Sequence, residues 1–358
     1  MNIFLLNQGI LYPIILILFF VIKLLDTLKA IIPVAGAGAK LRPHTYTQPK
    51  ALMPIAGTTI LSYIINQLTN AGVTEFIFVV GYLGEKIHEY VDNTFPGLQA
   101  HFIYQNNRQG TAHAIKLGQT LLETDEIIVV FGDTICEYDV SEIINSPYNV
   151  VAVKKVDNPR LFGVAEINGD GFIESVVEKP AIPKSNMAMV GIYKIKDTHL
   201  LFDALQHIFK EKITVNGDYN LTDALMGMIQ KGAKFKAVKV NTWYDCGNFE
   251  TLLDTNATLL KKHGGNVDEQ NHYYENTIII PPVSIAEGCN IRNCILGPNV
   301  AIGVQTSLNM SIVKNSIIGS YTTLNDVVLN HSLIGSDANV KGMCRNLNIG
   351  DNTEINFG

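Results

Sequence analysis

The chain has 358 residues, 47% hydrophobic and 17% charged, with a formal net charge of −6. That length is ample for a buried core and suggests two domains at roughly 150 residues each. The acidic balance implies no broad basic surface, so nucleic acid is not an expected partner. The five cysteines form no CxxC pair and are odd in number. They indicate neither a zinc site nor a disulfide framework and fit reduced thiols in a cytoplasmic enzyme.

Residues 1–28 carry an apolar run over 10–22, broken by Tyr12 and Pro13. No basic n-region or small-residue cleavage site precedes Lys23, and the run is shorter than the roughly 18–20 residues of a membrane span. The first core strand follows at once, so 1–28 is expected to lie outside the fold. A translation start near Leu28 is the first reading. A membrane anchor, placing the protein at the cytoplasmic face, is the second.

From residue 29 strand-like and helix-like runs alternate, the pattern of an α/β domain with a mostly parallel sheet. Strands are expected at 30–34, 75–80, 102–104 and 127–131. Helices are expected at 60–70 (capped by Thr58 or Thr59 and ended by Gly72), 85–92 and 111–122. A more antiparallel region follows at 150–155, 163–167, 172–178 and 187–193, then helices at 198–210 and 221–230, a strand at 235–240 and a helix at 248–263. This first domain spans 29–263, with a linker at 264–275. Over 276–358 a repeat appears: Leu296-Gly297 precedes Ile302, Ile318-Gly319 precedes Leu324, Ile334-Gly335 precedes Val340, and Ile349-Gly350 precedes Ile355. Aliphatics at six-residue spacing mark a hexapeptide left-handed parallel β-helix, whose coils bury aliphatics only by stacking. The repeat is degenerate over 305–314.

The strand at 30–34 runs into Ala35-Gly36-Ala37-Gly38, followed by Lys40, Arg42 and Lys50. Glycines at a strand end expose backbone N–H groups, and such a nest binds phosphate. It is not the dinucleotide fingerprint, which needs a third glycine where Leu41 stands and an acidic residue about 20 positions on. It is not a Walker loop, since Gly-Lys-Ser/Thr is absent. Asp133 follows the strand at 127–131, where open α/β sheets bind ligands.

The segments GAGAKLRP (36–43) and PKALMP (49–54) resemble the signature of the sugar-1-phosphate nucleotidyltransferases, most of all their glucose-1-phosphate thymidylyltransferase and uridylyltransferase branches. The resemblance covers roughly 29–356. It implies a Rossmann-like mixed-sheet domain of the glycosyltransferase-A kind, and transfer of a nucleoside monophosphate from dTTP or UTP to a sugar 1-phosphate. It implies Lys50 as the catalytic lysine, and Asp133 with Asp245 (in WYDCGN) as ligands of one Mg²⁺. Lys40 stands where the family carries a triphosphate-gripping arginine, and Ala39 replaces its Ser or Thr. QNNRQGTAHA (105–114) resembles a base-binding segment. It implies that Gln105, through an amide that offers a donor and an acceptor, with Gly110 and Thr111, holds a pyrimidine. For the sugar phosphate the resemblance implies Gly163, Glu178, Lys179 and the strand residues Val190, Gly191 and Tyr193. Asp223 is expected to cap its helix or to stand behind the residues that meet the substrate. N-acetylglucosamine 1-phosphate with UTP and mannose 1-phosphate with GTP are alternative substrate pairs. A sugar-nucleotide-binding regulator is a further alternative. Acyl transfer by the tail would need a histidine such as His331. A homo-oligomer, formed through the β-helix, is expected.

Overall fold

The computed structural model describes residues 28–122, 126–266, 274–342 and 347–356. The expectations for 1–27, most of the 264–275 linker and Cys344 fall outside them. Among the described residues no helix is long and apolar enough to cross a membrane.

The first domain is built on a nine-stranded mixed sheet of order β10-β9-β11-β6-β1-β4-β5, with β8 bonded to β11 and to β12. Strands β1 (Lys29–Pro33), β4 (Glu75–Val80), β5 (Gln99–Tyr104) and β6 (Ile127–Val130) run parallel. Strands β8 (Asn149–Lys155), β9 (Gly163–Ile167), β10 (Ile173–Glu178) and β11 (Met187–Ile195) supply the antiparallel half, with β12 (Phe235–Lys239) on the outside. A hairpin, β2 (Pro54–Ile55) with β3 (Thr58–Thr59), precedes the first helix.

Both sheet faces are covered, which explains why the central strands read as unbroken aliphatic runs. Ala30 and Ile32 point to one core with α1 (Ile60–Asn70), α2 (Gly84–Thr94) and the later helix α8 (Phe249–His263). Ile31 points to the other, with α3 (Thr111–Leu117), α6 (Thr198–Lys210) and α7 (Leu221–Gln230). Short α4 (Gln119–Leu122) and α5 (Val140–Ile144) complete the set. Helix α1 starts at Thr59, whose Oγ1 accepts from Ser62 N at 3.1 Å. Helix α8 opens on a capping box between Asn248 and Thr251 and closes on left-handed Gly264, whose N–H bonds Leu260 O, so each end is capped. The single helix expected at 111–122 is instead α3 and α4, parted at Gly118. There a Cβ would sit 2.9 Å from Leu122 and 3.0 Å from Ile31. Two short strands carried no sequence signal: β7 (Thr134–Glu137) and β13 (Thr242–Asp245), paired antiparallel with Asp245 opposite Thr134.

The second domain stacks short parallel strands into three sheets, one of four strands and two of five, consistent with the expected hexapeptide β-helix. Ile317 lies over Leu333 and Ser307 over Thr323, so a coil is about 16 residues, shorter than three full hexapeptides. Corners turn on left-handed residues such as Asn299, Gln305 and Met310. Segment 305–314, whose repeat is degenerate, forms a regular coil with strands Ser307–Asn309 and Ile312–Lys314. Interior positions Leu296, Val313 and Leu329 are fully buried. Each coil covers the next, while Asn276, Asn293, Asn309 and Asn325 form a side-chain amide ladder along one corner. One sheet face packs on the first domain, where Ile317 and Leu333 join its core.

Candidate active site

The carboxyl ends of β1, β4, β5 and β6 open on one edge of the sheet, the edge at which open α/β sheets bind ligands. Only residues without side chains allow the approach seen there. A Cβ on Gly132 would lie 2.2 Å from Val34, and one on Gly81 2.9 Å from Ala35. A cavity of 190 Å³ sits in this edge, lined by Ala35, Gly36, Lys50, Gln105, Gly110, Thr111 and Asp133 among others. Gly38 is left-handed (φ 60°), with Thr45 Oγ1 donating to its carbonyl at 2.8 Å. Lys40 is exposed on the short 3₁₀ turn Ala39–Leu41 that follows.

Charge gathers at one end. Lys50 lies on the 3₁₀ turn Lys50–Leu52, and its Nζ pairs with Asp133 Oδ2 at 2.6 Å. The β7–β13 pairing brings Asp245 beside Asp133 although more than a hundred residues separate them. Burial pushes the Asp245 carboxyl up, as does the charge of Asp133, while Lys50 and Lys40 oppose the shift. Two carboxylates forced together in a half-buried place are a liability that a bound cation relieves. Among the described residues no group of three or more His, Cys, Asp or Glu converges on a point. Two carboxylates completed by water and phosphate oxygens suit Mg²⁺ rather than zinc or calcium, so the residues present fit the expected ion.

The Gln105 side chain is buried, and its Nε2 donates to Gly110 O at 3.2 Å and meets His113 Nδ1 at 2.9 Å. Its N–H groups are thus engaged inside the protein. Burial lowers the His113 pKa, assisted by Lys116, which favours the neutral ring that this bond requires. Gly110 has φ +97°, and a Cβ there would lie 2.3 Å from Tyr219 O. Thr111 lines the cavity, but its hydroxyl accepts from Leu221 N at 3.0 Å and so also fastens the start of α7.

The remaining residues form a second cluster. Glu178 Oε2 accepts from Thr222 Oγ1 at 2.7 Å, and Lys179 Nζ lies 3.8 Å from Glu178 Oε1. Gly163 leaves room beside both: a Cβ there would lie 3.0 Å from Glu178 and 3.2 Å from Thr222. Asp223, in the first turn of α7, has a buried Oδ2 with no hydrogen-bond partner among the described residues. Burial and then Glu178 push its carboxyl up. Buried Tyr193 is pushed up by burial and by Glu178. Gly191, at a bulge in β11, accepts from Phe131 N at 2.9 Å and lies under the Phe131 ring. Val190 points away from this cluster into the core with Ile128 and Val150.

Residues 29–262 match the model of the nucleotidyl transferase family. The chain belongs to that family. The bifunctional protein GlmU of Methanocaldococcus jannaschii is 37% identical over 262 residues, 73% of this chain and 61% of that protein. The aligned part is therefore under two thirds of that relative's length. A glucose-1-phosphate thymidylyltransferase of Streptomyces griseus is 31% identical over 300 residues, 80% of this chain and 81% of that protein. A crystal structure of a UDP-glucose pyrophosphorylase with UDP-glucose superposes with a TM-score of 0.58 at 23% identity, over 66% of this chain and 99% of that one; it shows the shared fold. Sequence reading missed Thr222 as the partner of Glu178 and His113 as the partner of Gln105. The first has a signal, since Thr222 sits two residues past the N-cap Asn220. The second needs the helix register, which places His113 over Gln105.

Proposed function

We propose that the protein joins a nucleoside monophosphate from dTTP or UTP to glucose 1-phosphate, giving a nucleoside diphosphate sugar and pyrophosphate. The sugar-phosphate oxygen attacks the α-phosphorus in line, the bond to the bridging oxygen breaks, and pyrophosphate leaves. The observation that carries this reading is the Lys50–Asp133 pair with Asp245 beside it, at the mouth of the nest. Such transfer asks for positioning and charge neutralisation, not covalent chemistry.

In this account the N–H groups of 35–38 hold phosphate oxygens, with Lys40 adding charge but no bidentate fork. The Lys50 ammonium swings from Asp133 to the α-phosphate as charge builds there. Asp133 and Asp245 would hold Mg²⁺, which when bound neutralises charge across the phosphates. Gln105 Oε1 accepts the imide N–H of thymine or uracil, and the Gly110 backbone borders the base. Glu178 accepts sugar hydroxyls, Lys179 meets the sugar's phosphate, and Tyr193 backs the pocket floor. A homo-oligomer belongs to this proposal, supported by exposed Ile278 and Ile312 on one outer sheet of the β-helix. N-acetylglucosamine 1-phosphate is the second acceptor to test.

Pyrophosphate release across a grid of nucleoside triphosphates and sugar 1-phosphates with Mg²⁺ tests the reading. Signal is expected with dTTP or UTP and glucose 1-phosphate. Release with the N-acetylglucosamine phosphate alone would move the acceptor to the second reading. No release from folded protein would leave a binding regulator.

A further inference from the structure

The loop that carries Lys40, Arg42 and Lys50 is held from outside its own domain. The His44 ring is buried, and its Nε2 bonds Asn348 Oδ1, 304 positions later in the chain. The Thr47 hydroxyl donates to Asp351 Oδ2. Asp351 is itself fixed, since its Oδ1 accepts from Ser336 N at 2.7 Å in the preceding coil. Between these bonds Gly350 faces the Pro43 ring, where a Cβ would lie 3.1 Å from Pro43 Cβ. On its other side the same loop is tied to the α2 region: Lys86 Nζ donates to Thr47 O and Tyr82 OH to Tyr46 O, each at 2.8 Å. Within the loop, Thr45 bonds Gly38 O. A continuous path therefore runs from the last described β-helix coil, through 43–47, to the phosphate nest at Gly38.

We infer that Asn348 and Asp351 are positioning residues for the nucleotide site, and that the last coil of the β-helix sets the geometry of the phosphate loop. Neither residue touches the cavity. They act through His44 and Thr47, and a side-chain hydrogen bond lost there frees a loop, not a core. The loop borders the triphosphate and not the sugar cluster, so the effect falls on the nucleotide and spares the acceptor. The inference rests on the proposed reaction for its kinetic readout only.

The test compares wild type, Asp351→Ala, Asn348→Ala and the double variant, with Asp351→Asn as the conservative control. Steady-state kinetics should show KM for the nucleoside triphosphate raised about three- to tenfold in each single alanine variant, on the ordinary range for one hydrogen bond. KM for the sugar phosphate and the melting temperature should stay near wild type. Asp351→Asn should restore most of the loss, because its amide oxygen can keep the bond from Ser336 N while its NH2 group donates to the Thr47 hydroxyl, which accepts as well as donates. Hydrogen–deuterium exchange without substrates should show faster exchange over 38–50 in the double variant, and unchanged exchange in the β-helix core strands. Unchanged exchange over 38–50, or equal loss for both substrates, would overturn the inference. A wild type silent in every substrate pair would fail the proposed reaction and still leave the exchange result to judge the loop.

Discussion

At the end of the site proposed for phosphate, Lys50, Asp133 and Asp245 arrive from a 3₁₀ turn, a strand-to-strand turn and the last position of β13, and crowd opposite and like charges into one half-buried place. At the end proposed for the sugar, Glu178, Gly163, Thr222 and Asp223 sit on two strands and a helix start, where Glu178 accepts from Thr222 beside the close approach of Gly163. The first arrangement is governed by charge, with the Asp245 carboxyl raised by burial and by Asp133, and the second by hydrogen bonding, with the Glu178–Thr222 bond in place beside the unpartnered Asp223 oxygen. Catalysis is therefore expected to depend on the charged end, and choice of acceptor on the hydrogen-bonded end.

Removing the lysine should give the largest effect. Lys50→Ala is expected to lower kcat by roughly a thousandfold, the scale of losing a charge aimed at the transition state, with sugar-phosphate KM little changed. A loss confined to KM would put Lys50 in ground-state binding only. At the joint between the two ends, Gly110→Ala forces a Cβ to within 2.3 Å of Tyr219 O at φ +97°. A destabilisation of about 2–4 kcal/mol is expected from clash and backbone strain together, read as a lowered denaturant midpoint. An unchanged midpoint would show that the Tyr219 turn yields.

At the sugar end, Glu178→Gln keeps the shape and loses the charged acceptor. It should raise sugar-phosphate KM by about tenfold, as one charge-assisted hydrogen bond, and leave nucleotide KM alone. A loss mainly in kcat would erase the division between the ends. The smallest effect concerns pH. The His113 pKa is lowered, so the ring stays neutral through the ordinary histidine range and accepts from Gln105. Nucleotide affinity should be flat on lowering the pH through 6.5 and fall only below it, as protonation removes the Nδ1 acceptor. In His113→Phe that acid limb should vanish. Its persistence would assign the limb to another group.

Much of this was legible in the chain because it is local. The strand before the nest, the Thr59 cap, the helices at 198–210 and 221–230 and the aliphatic repeat each declare themselves within a dozen residues. The joining of Asp133 to Asp245 was legible only as resemblance, since the short strands that achieve it pair across a gap no periodicity records. Helix 111–122 is interrupted at Gly118, a poor helix former, whose place against the β1 core leaves no room for a side chain. Six-residue spacing named the β-helix but not its shorter coil, which depends on how corners close. The bonds from Asn348 and Asp351 to the phosphate loop cross the whole chain, so only the folded molecule reveals them.

The most direct test follows the label. dTTP or UTP labelled at the α-phosphate is mixed with glucose 1-phosphate and Mg²⁺, with wild type beside Asp133→Asn. The account predicts label in a nucleoside diphosphate sugar for wild type and its near absence for the variant. Equal labelling by both proteins would contradict the site, and label released as free nucleoside monophosphate would contradict the transfer.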